Sequence, residues 1–279
     1  MKVLPSLFAM LFPTLALMGC ASPPTEQSAT SGTPPAPIFS PQPTVSPAPA
    51  IKPQPRDVLR QMAAYLRSLD RFTARVEKTT ELILPTDQRL HADQTAEIAI
   101  QKPDRLRVNF LNLSGGRQLF YEGQTFVIYT PEANVYASAA AAPTIDETLD
   151  LLDSRYRIST PIADLLVADP DIRLVRNLTS ETYVGRALVH GVPCHHLAFQ
   201  TTEVDWEIWI EEGSRPLPRR LLLTDKSVEG SPQMTADITH WELAPTFPAD
   251  FFTFKPPRNA QKIEFLESAP AIRPAKAAH

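Results

Sequence analysis

Phe72-Thr73-Ala74-Arg75-Val76-Glu77 alternates apolar and polar side chains one by one, and this pattern decides the fold. On the same parity the apolar side chains return at Leu82 and Leu84. A period of two is typical of a β-strand with one dry face and one wet face. Since parallel strands are usually covered on both faces, this alternation predicts an antiparallel sheet.

Similar strand patterns recur along the chain between turn residues, including a hairpin that turns at Glu122-Gly123. The further predicted strands are residues 96–101, 105–110, 119–129 (the hairpin), 134–139, 174–178, 182–189, 194–201, 205–211, 219–225 and 234–242. A single sheet of roughly nine or more strands is expected to curl.

Three short segments have a helical rather than a strand period. Asp57 is predicted to cap a helix through Leu69, whose apolar side chains fall on one face. Thr144-Ile145-Asp146-Glu147 reads as a capping box before a second helix that reaches Tyr156. Thr160-Pro161 is predicted to open a third, very short helix through Leu166.

Strands, a helical insert and further strands predict an α+β domain. The expected architecture is a curved antiparallel sheet, an incomplete β-barrel, wrapped over two or three short helices. The predicted organisation is a signal peptide at 1–19, a lipidated cysteine and proline-rich tether at 20–56, the domain at 57–257 and a flexible C-terminal tail at 258–279.

Leu17-Met18-Gly19-Cys20 ends an apolar run that follows Met1-Lys2, and it reads as a lipobox. Cleavage before Cys20 would let its thiol take a diacylglycerol and its amino group an acyl chain such as palmitate. The alternative, a membrane-spanning or buried helix, fits less well. A span needs about 20 apolar residues, whereas residues 3–18 are fewer and contain two prolines.

Ala21 follows the cysteine where an aspartate would favour retention at the inner membrane of enteric-type bacteria. We therefore expect a lipid anchor in the outer membrane, with the domain facing the periplasm. The net charge of −4 gives no basic surface for a nucleic-acid partner. With Cys20 lipidated, Cys194 is the remaining thiol, so no intrachain disulfide is expected.

Several short motifs together resemble an uncharacterised bacterial family of predicted periplasmic proteins, domain-of-unknown-function family 2092. The motifs are Lys102-Pro103-Asp104-Arg105-Leu106-Arg107, Tyr121-Glu122-Gly123, Pro143-Thr144-Ile145-Asp146-Glu147, Pro161-Ile162-Ala163-Asp164-Leu165-Leu166, Gly191-Val192-Pro193-Cys194-His195-His196-Leu197, Asp205-Trp206-Glu207-Ile208-Trp209-Ile210 and Pro216-Leu217-Pro218-Arg219. The resemblance covers about residues 57–257. It implies the fold of the lipoprotein carrier and receptor (LolA/LolB-like) superfamily, which holds acyl chains in a concave sheet.

Cys194-His195-His196, with His190 nearby, is the most chemically suggestive cluster, because these residue types bind zinc or copper. In a strand, however, Cys194 and His196 share one face and His195 takes the other. We therefore expect no metal site and no cofactor, and we expect Cys194 to be a buried small hydrophobe.

Trp209 lies on the wet parity among Asp205, Glu207 and Glu211. It either faces a partner or a membrane surface, or it is covered by its own chain, and the second interpretation is favoured.

The chain carries no G-x-S-x-G, no H-E-x-x-H and no phosphate loop, and Ser114 precedes two glycines in a predicted turn. We therefore do not expect an enzyme, and catalysis through Cys194 is the least favoured alternative.

The first functional hypothesis is a domain that binds an acyl chain or lipoprotein lipid. The second is an interaction or structural module of the envelope with a closed core and a protein partner. The residues predicted to line a hydrophobic ligand site are Phe110, Phe120, Phe126, Ile128, Trp206, Ile208 and Leu222.

Overall fold

Twelve strands and four helices make up the part of the chain that the computed structural model describes, which is residues 52–111, 116–158, 160 and 162–265. The helices are α1 Pro55–Ser68, α2 Ile145–Tyr156, α3 Ala163–Leu166 and α4 Pro170–Leu174. The strands are β1 Arg71–Ile83, β2 Arg89–Gln101, β3 Arg105–Leu111, β4 Arg117–Glu122, β5 Thr125–Thr130, β6 Val135–Ala140, β7 Ser180–Val189, β8 Val192–Gln200, β9 Val204–Glu211, β10 Pro218–Asp225, β11 Gln233–Glu242 and β12 Gln261–Lys262.

All twelve strands belong to one open, curved sheet in the order β12-β6-β5-β4-β3-β2-β1-β11-β10-β9-β8-β7. Every neighbouring pair is antiparallel except β12 and β6, which run parallel. The long pair β1 and β2 occupies the middle, and β11 returns from the far end of the chain to flank β1. The α+β class and the curved antiparallel sheet over short helices are therefore confirmed.

The core lies on one face of this sheet, the inner face, where the helices pack. From α1 it takes Val58, Leu59, Met62 and Leu66, and α2 and α3 add further apolar side chains. From β1 the core takes the side chains at even-numbered positions, and Phe72, Ala74 and Val76 are buried as the alternation predicts. The opposite, outer face carries the polar parity.

The outer face is covered in part by the segment 247–254, which crosses it after β11. Phe252 is buried, and the Phe254 ring lies 5.4 Å from that of Phe120 and 5.1 Å from that of Tyr136. The free energy gained by burying these rings holds the segment against β4 to β6.

Of the two predicted helix N-caps, one is confirmed and one is wrong. Thr144 caps α2, since its hydroxyl oxygen accepts a hydrogen bond from the backbone N–H of Glu147 at 3.3 Å. The prediction for Asp57 is wrong, because α1 begins at Pro55 and Asp57 lies in its first turn. Proline at the first helical position needs no N–H partner and fixes φ, and it therefore moves the start upstream.

One strand prediction is also wrong, and the dry face of β1 is shorter than the alternation indicates. Residues 170–174 form α4, with Pro170 at its first position, where a strand was expected from Leu174. In β1 the burial ends at Val76, and Leu82 is 48% exposed opposite the exposed Leu90. Beyond Val76 the inner parity carries Lys78 and Thr80 before Leu82, so this end of the strand has no core beneath it.

The ordered domain extends beyond the predicted boundary at Pro257. Gln261 and Lys262 pair with Val135 and Tyr136 as β12, and the Phe265 ring lies 4.9 Å from that of Tyr156. The first residues of the predicted tail therefore complete one edge of the sheet. The predicted signal peptide, Cys20 and the tether up to residue 51 lie outside the described residues, as do Ser114 and residues 266–279.

Candidate ligand-binding site

Of the seven predicted lining residues, three are closed into the core. Phe126 and Ile208 are fully buried, and Trp206 is 4% exposed. Trp206 stacks on Phe199 with ring centroids 4.1 Å apart and an interplanar angle of 17°. Contacts of this kind fill the inner face around β8 and β9 with protein side chains.

Phe110 and Ile128 instead border two clefts at one end of the inner face, beside the end of α2. Ile128 lies in a cleft of about 290 Å³ with Ile158 and Phe265. Phe110 lies in a neighbouring cleft of about 370 Å³. Arg117, Thr130 and Ile158 border both clefts, so the two adjoin.

The two clefts differ in chemistry. The Ile128 cleft is lined mainly by apolar side chains, including Val135, Ala137 and Ile263. The Phe110 cleft carries charged and polar side chains, namely Asp93, Gln94, Arg117, Glu132 and Arg157. An apolar compartment next to a polar one matches the two ends of an amphiphile.

Aromatic packing closes the apolar cleft on its core side. The Phe265 ring lies 5.2 Å from that of Phe126, and Tyr156 meets Phe126 edge-on at 5.2 Å. These three rings separate the cleft from the rest of the core. Phe265 itself is half-buried and forms part of the cleft wall.

Phe120 and Leu222 are placed on the outer face, not on the inner one as predicted. Phe120 pairs with Arg107 and Val127, and the outer segment covers it. Leu222 pairs with Glu207, whereas its neighbour Leu221 pairs with Ile208 and is 4% exposed. Because β10 has three consecutive leucines, the sequence pattern does not show which of them faces the core.

The histidines around Cys194 go to three different partners. His190 Nε2 lies 3.1 Å from Asp237 Oδ2, His196 Nε2 lies 2.5 Å from Glu207 Oε2, and the His195 ring bonds the Tyr183 hydroxyl at 3.0 Å. Across the described parts of the chain, no group of three His, Cys, Asp or Glu side chains is placed to hold a metal ion.

Cys194 itself is fully buried. Burial raises the pKa of its thiol to about 11, since a thiolate would lose its hydration there. At neutral pH the sulfur is therefore protonated, and a protonated buried thiol is a poor nucleophile.

Trp209 is half-buried and covered by its strand neighbours, which is the favoured one of the two interpretations. The His196 ring stacks on it at 4.1 Å, and the Arg220 guanidinium lies 5.8 Å from its centroid on the other strand. Arg220 in turn is fixed by two hydrogen bonds to Asp237. The tryptophan thus belongs to an ordered polar row on the outer face.

A family model of predicted periplasmic proteins, DUF2092, matches residues 56–266. The chain belongs to this family. The match covers the described domain from the second residue of α1 onward, and the family description agrees with a periplasmic location. No curated protein matches the chain significantly.

Within the described residues, no helix has the length and apolarity that a bilayer crossing requires.

The chain is similar to several solved structures at low sequence identity. An uncharacterised conserved protein from Thermus thermophilus has a TM-score of 0.46 at 11% identity, over 75% of this chain and 98% of that one. The lipoprotein LppX of Mycobacterium tuberculosis gives 0.44 at 12%, over 69% and 96%. A LolA superfamily protein from Nitrosomonas europaea gives 0.37 at 11%, over 72% and 98%.

Sequence reasoning missed the residues that complete the clefts. Ile158 and Phe265 lie in a loop and in the predicted tail, where no periodic pattern marks an apolar side chain as buried. The composition of segment 247–254 could have predicted that it packs on the sheet, because four phenylalanines in eight residues are seldom all exposed to solvent.

Proposed function

We propose that this protein is a lipid-anchored periplasmic protein of the outer membrane whose domain binds an acyl chain or the lipid of a lipoprotein, in a carrier- or receptor-like role. The observation that carries the proposal is the pair of adjoining clefts at Ile158, one apolar and one polar. We propose the ligand site there, and not along the whole inner face, because side chains such as Phe199 and Trp206 fill the core around β8 and β9.

The chemistry of the two clefts suits such a ligand. Each methylene moved from water into the Ile128 cleft gains about 0.8 kcal/mol. The polar cleft offers both cations and carboxylates near the same end, which suits a head group with donors and acceptors. We propose a binding rather than a catalytic role, in which the side chains that line the two clefts contact the ligand.

Ile158→Glu tests this placement. The variant puts a carboxylate between the two clefts, where it would face the methylenes of a bound chain, and burying that charge is costly. We expect the affinity for a fluorescent fatty acid to fall at least about tenfold, measured by fluorescence titration of the full chain with Cys20 replaced by Ser to remove the predicted acylation site.

Ile172→Glu is the matched control, because Ile172 is 60% exposed on α4 and borders neither cleft. It should bind the fatty acid like the parent chain. If the parent chain takes up no fatty acid at all, the proposed function is wrong and the interaction module with a closed core, which the packing of Trp206 favours, becomes the better account.

A further inference from the structure

A third cleft, of about 350 Å³, lies on the outer face of the sheet, across the sheet from the proposed acyl site. Most of its lining comes from the outer parity of β1, β2 and β3, and His240 of β11 and Phe251 of the segment 247–254 also border it. The volume falls within the range of about 300–1,000 Å³ that is usual for small-molecule sites.

Small side chains and a bulge open this cleft. Thr73, Ala99 and Arg107 form one row across three strands, and Ala99 leaves a gap between its larger neighbours. Beside it the pairing of β1 with β11 shifts register between Thr73 and Arg75, where β11 carries an extra residue. His240 lies in that bulge with φ +50° and borders the cleft. Bulges of this kind re-aim side chains next to binding sites.

Arg107 is one of the charged residues that line the cleft, on its β3 side. Its guanidinium lies between two phenyl rings, 4.6 Å from the centroid of Phe120 and 4.8 Å from that of Phe251. Its hydrogen bonds within the described residues go to neutral oxygens, Asn109 Oδ1 at 3.3 Å and the Phe251 carbonyl at 3.2 Å. Burial lowers the pKa of this guanidinium, although it stays protonated at neutral pH.

The other charges of the cleft are already balanced against each other. Arg75 Nε lies 3.2 Å from Glu77 Oε1, and its Nη1 lies 3.7 Å from Glu97 Oε1. Among the described residues, no carboxylate forms an ion pair with Arg107. A partly desolvated cation without a counter-ion costs free energy, and an anionic ligand would remove that cost.

We propose that this cleft binds a small amphipathic carboxylate, with the carboxylate on Arg107 and a flat apolar body over Ala99 against the ring of Phe251. His240 borders the cleft from β11, on the side away from Arg107. The site is separate from the acyl site because the two occupy opposite faces of the sheet.

Calorimetric titration of the Cys20→Ser full chain with 1-naphthoate tests the proposal, with uncharged 1-naphthamide as the matched probe. We expect one naphthoate per chain and at least about tenfold weaker binding of the amide, since a hydrogen bond to a charged group contributes more than a neutral one. Arg107→Gln should weaken naphthoate about tenfold or more, and Ala99→Leu should abolish binding by filling the floor.

Arg186→Gln, which removes an exposed arginine paired with Glu212 at the β7 edge, is the control and should bind naphthoate normally. Ile158→Glu should also leave naphthoate binding unchanged, which separates this site from the acyl site. Thermal melting identifies any variant that fails to fold. If Ala99→Leu does not fold, the Arg107→Gln result alone tests the proposal. Equal affinities for naphthoate and naphthamide, full binding by Arg107→Gln, or no naphthoate binding at millimolar concentration would each overturn the proposal.

Discussion

Replacing Trp206 with alanine is expected to lower the free energy of unfolding by about 3–5 kcal/mol. The indole is 4% exposed and stacks on Phe199 at 4.1 Å, and its neighbours Leu197 and Ile208 are fully buried. Deleting it therefore leaves a cavity that the surrounding strands can close only in part. Chemical denaturation of the full chain with Cys20 replaced by Ser measures the loss.

Trp209→Ala is the control for this experiment, because Trp209 lies further along the same strand and on the outer face. It is half-buried and contacts His196 and Arg220, so its loss should cost about 1 kcal/mol, as is typical of single substitutions. An unchanged denaturation midpoint for Trp206→Ala, together with a large fall in fatty-acid affinity, would instead make Trp206 part of an open ligand cavity.

Cys20→Ser is expected to move the protein from the membrane fraction to the soluble fraction and to remove its labelling by an alkyne analogue of palmitate. A single acyl chain binds membranes only weakly, whereas the three chains of a mature lipoprotein cysteine give stable anchoring. The measurement is fractionation of a bacterial host that expresses the full chain, with gel detection of the label.

Cys194→Ala serves as the matched cysteine control and should keep both the label and the membrane location, because Cys194 is buried in β8. A Cys20→Ser protein that stays in the membrane fraction and keeps its label would show that the anchor is not at this cysteine.

The strand alternation predicted most of the sheet, because a period of two is a local property. The hairpin at Glu122-Gly123 is where it was expected, and Gly123 has the positive φ of +65° that this turn needs. The capping box at Thr144 was equally readable. Both signals lie within four residues, so they do not depend on the rest of the fold.

The clefts were harder to predict because they depend on contacts between distant segments. The order of the sheet brings β11 beside β1, and only that pairing brings His240 to the outer-face cleft that Arg107 also borders. Phe120 reads as a core residue until the segment with Phe254 is known to cover the other face. Likewise, nothing in the sequence around Phe265 marks it as the ring that closes the apolar cleft.

The measurement that tests the account most directly is photo-crosslinking of the full chain, with Cys20 replaced by Ser, to a palmitate that carries a diazirine near its methyl end. After irradiation and proteolysis, mass spectrometry locates the adduct. We predict adducts at Ile128, Ile158 or Ile263, in the apolar cleft beside the end of α2. An adduct at Trp206 or Ile208, or no adduct above that of the Ile158→Glu variant, would contradict the proposed site.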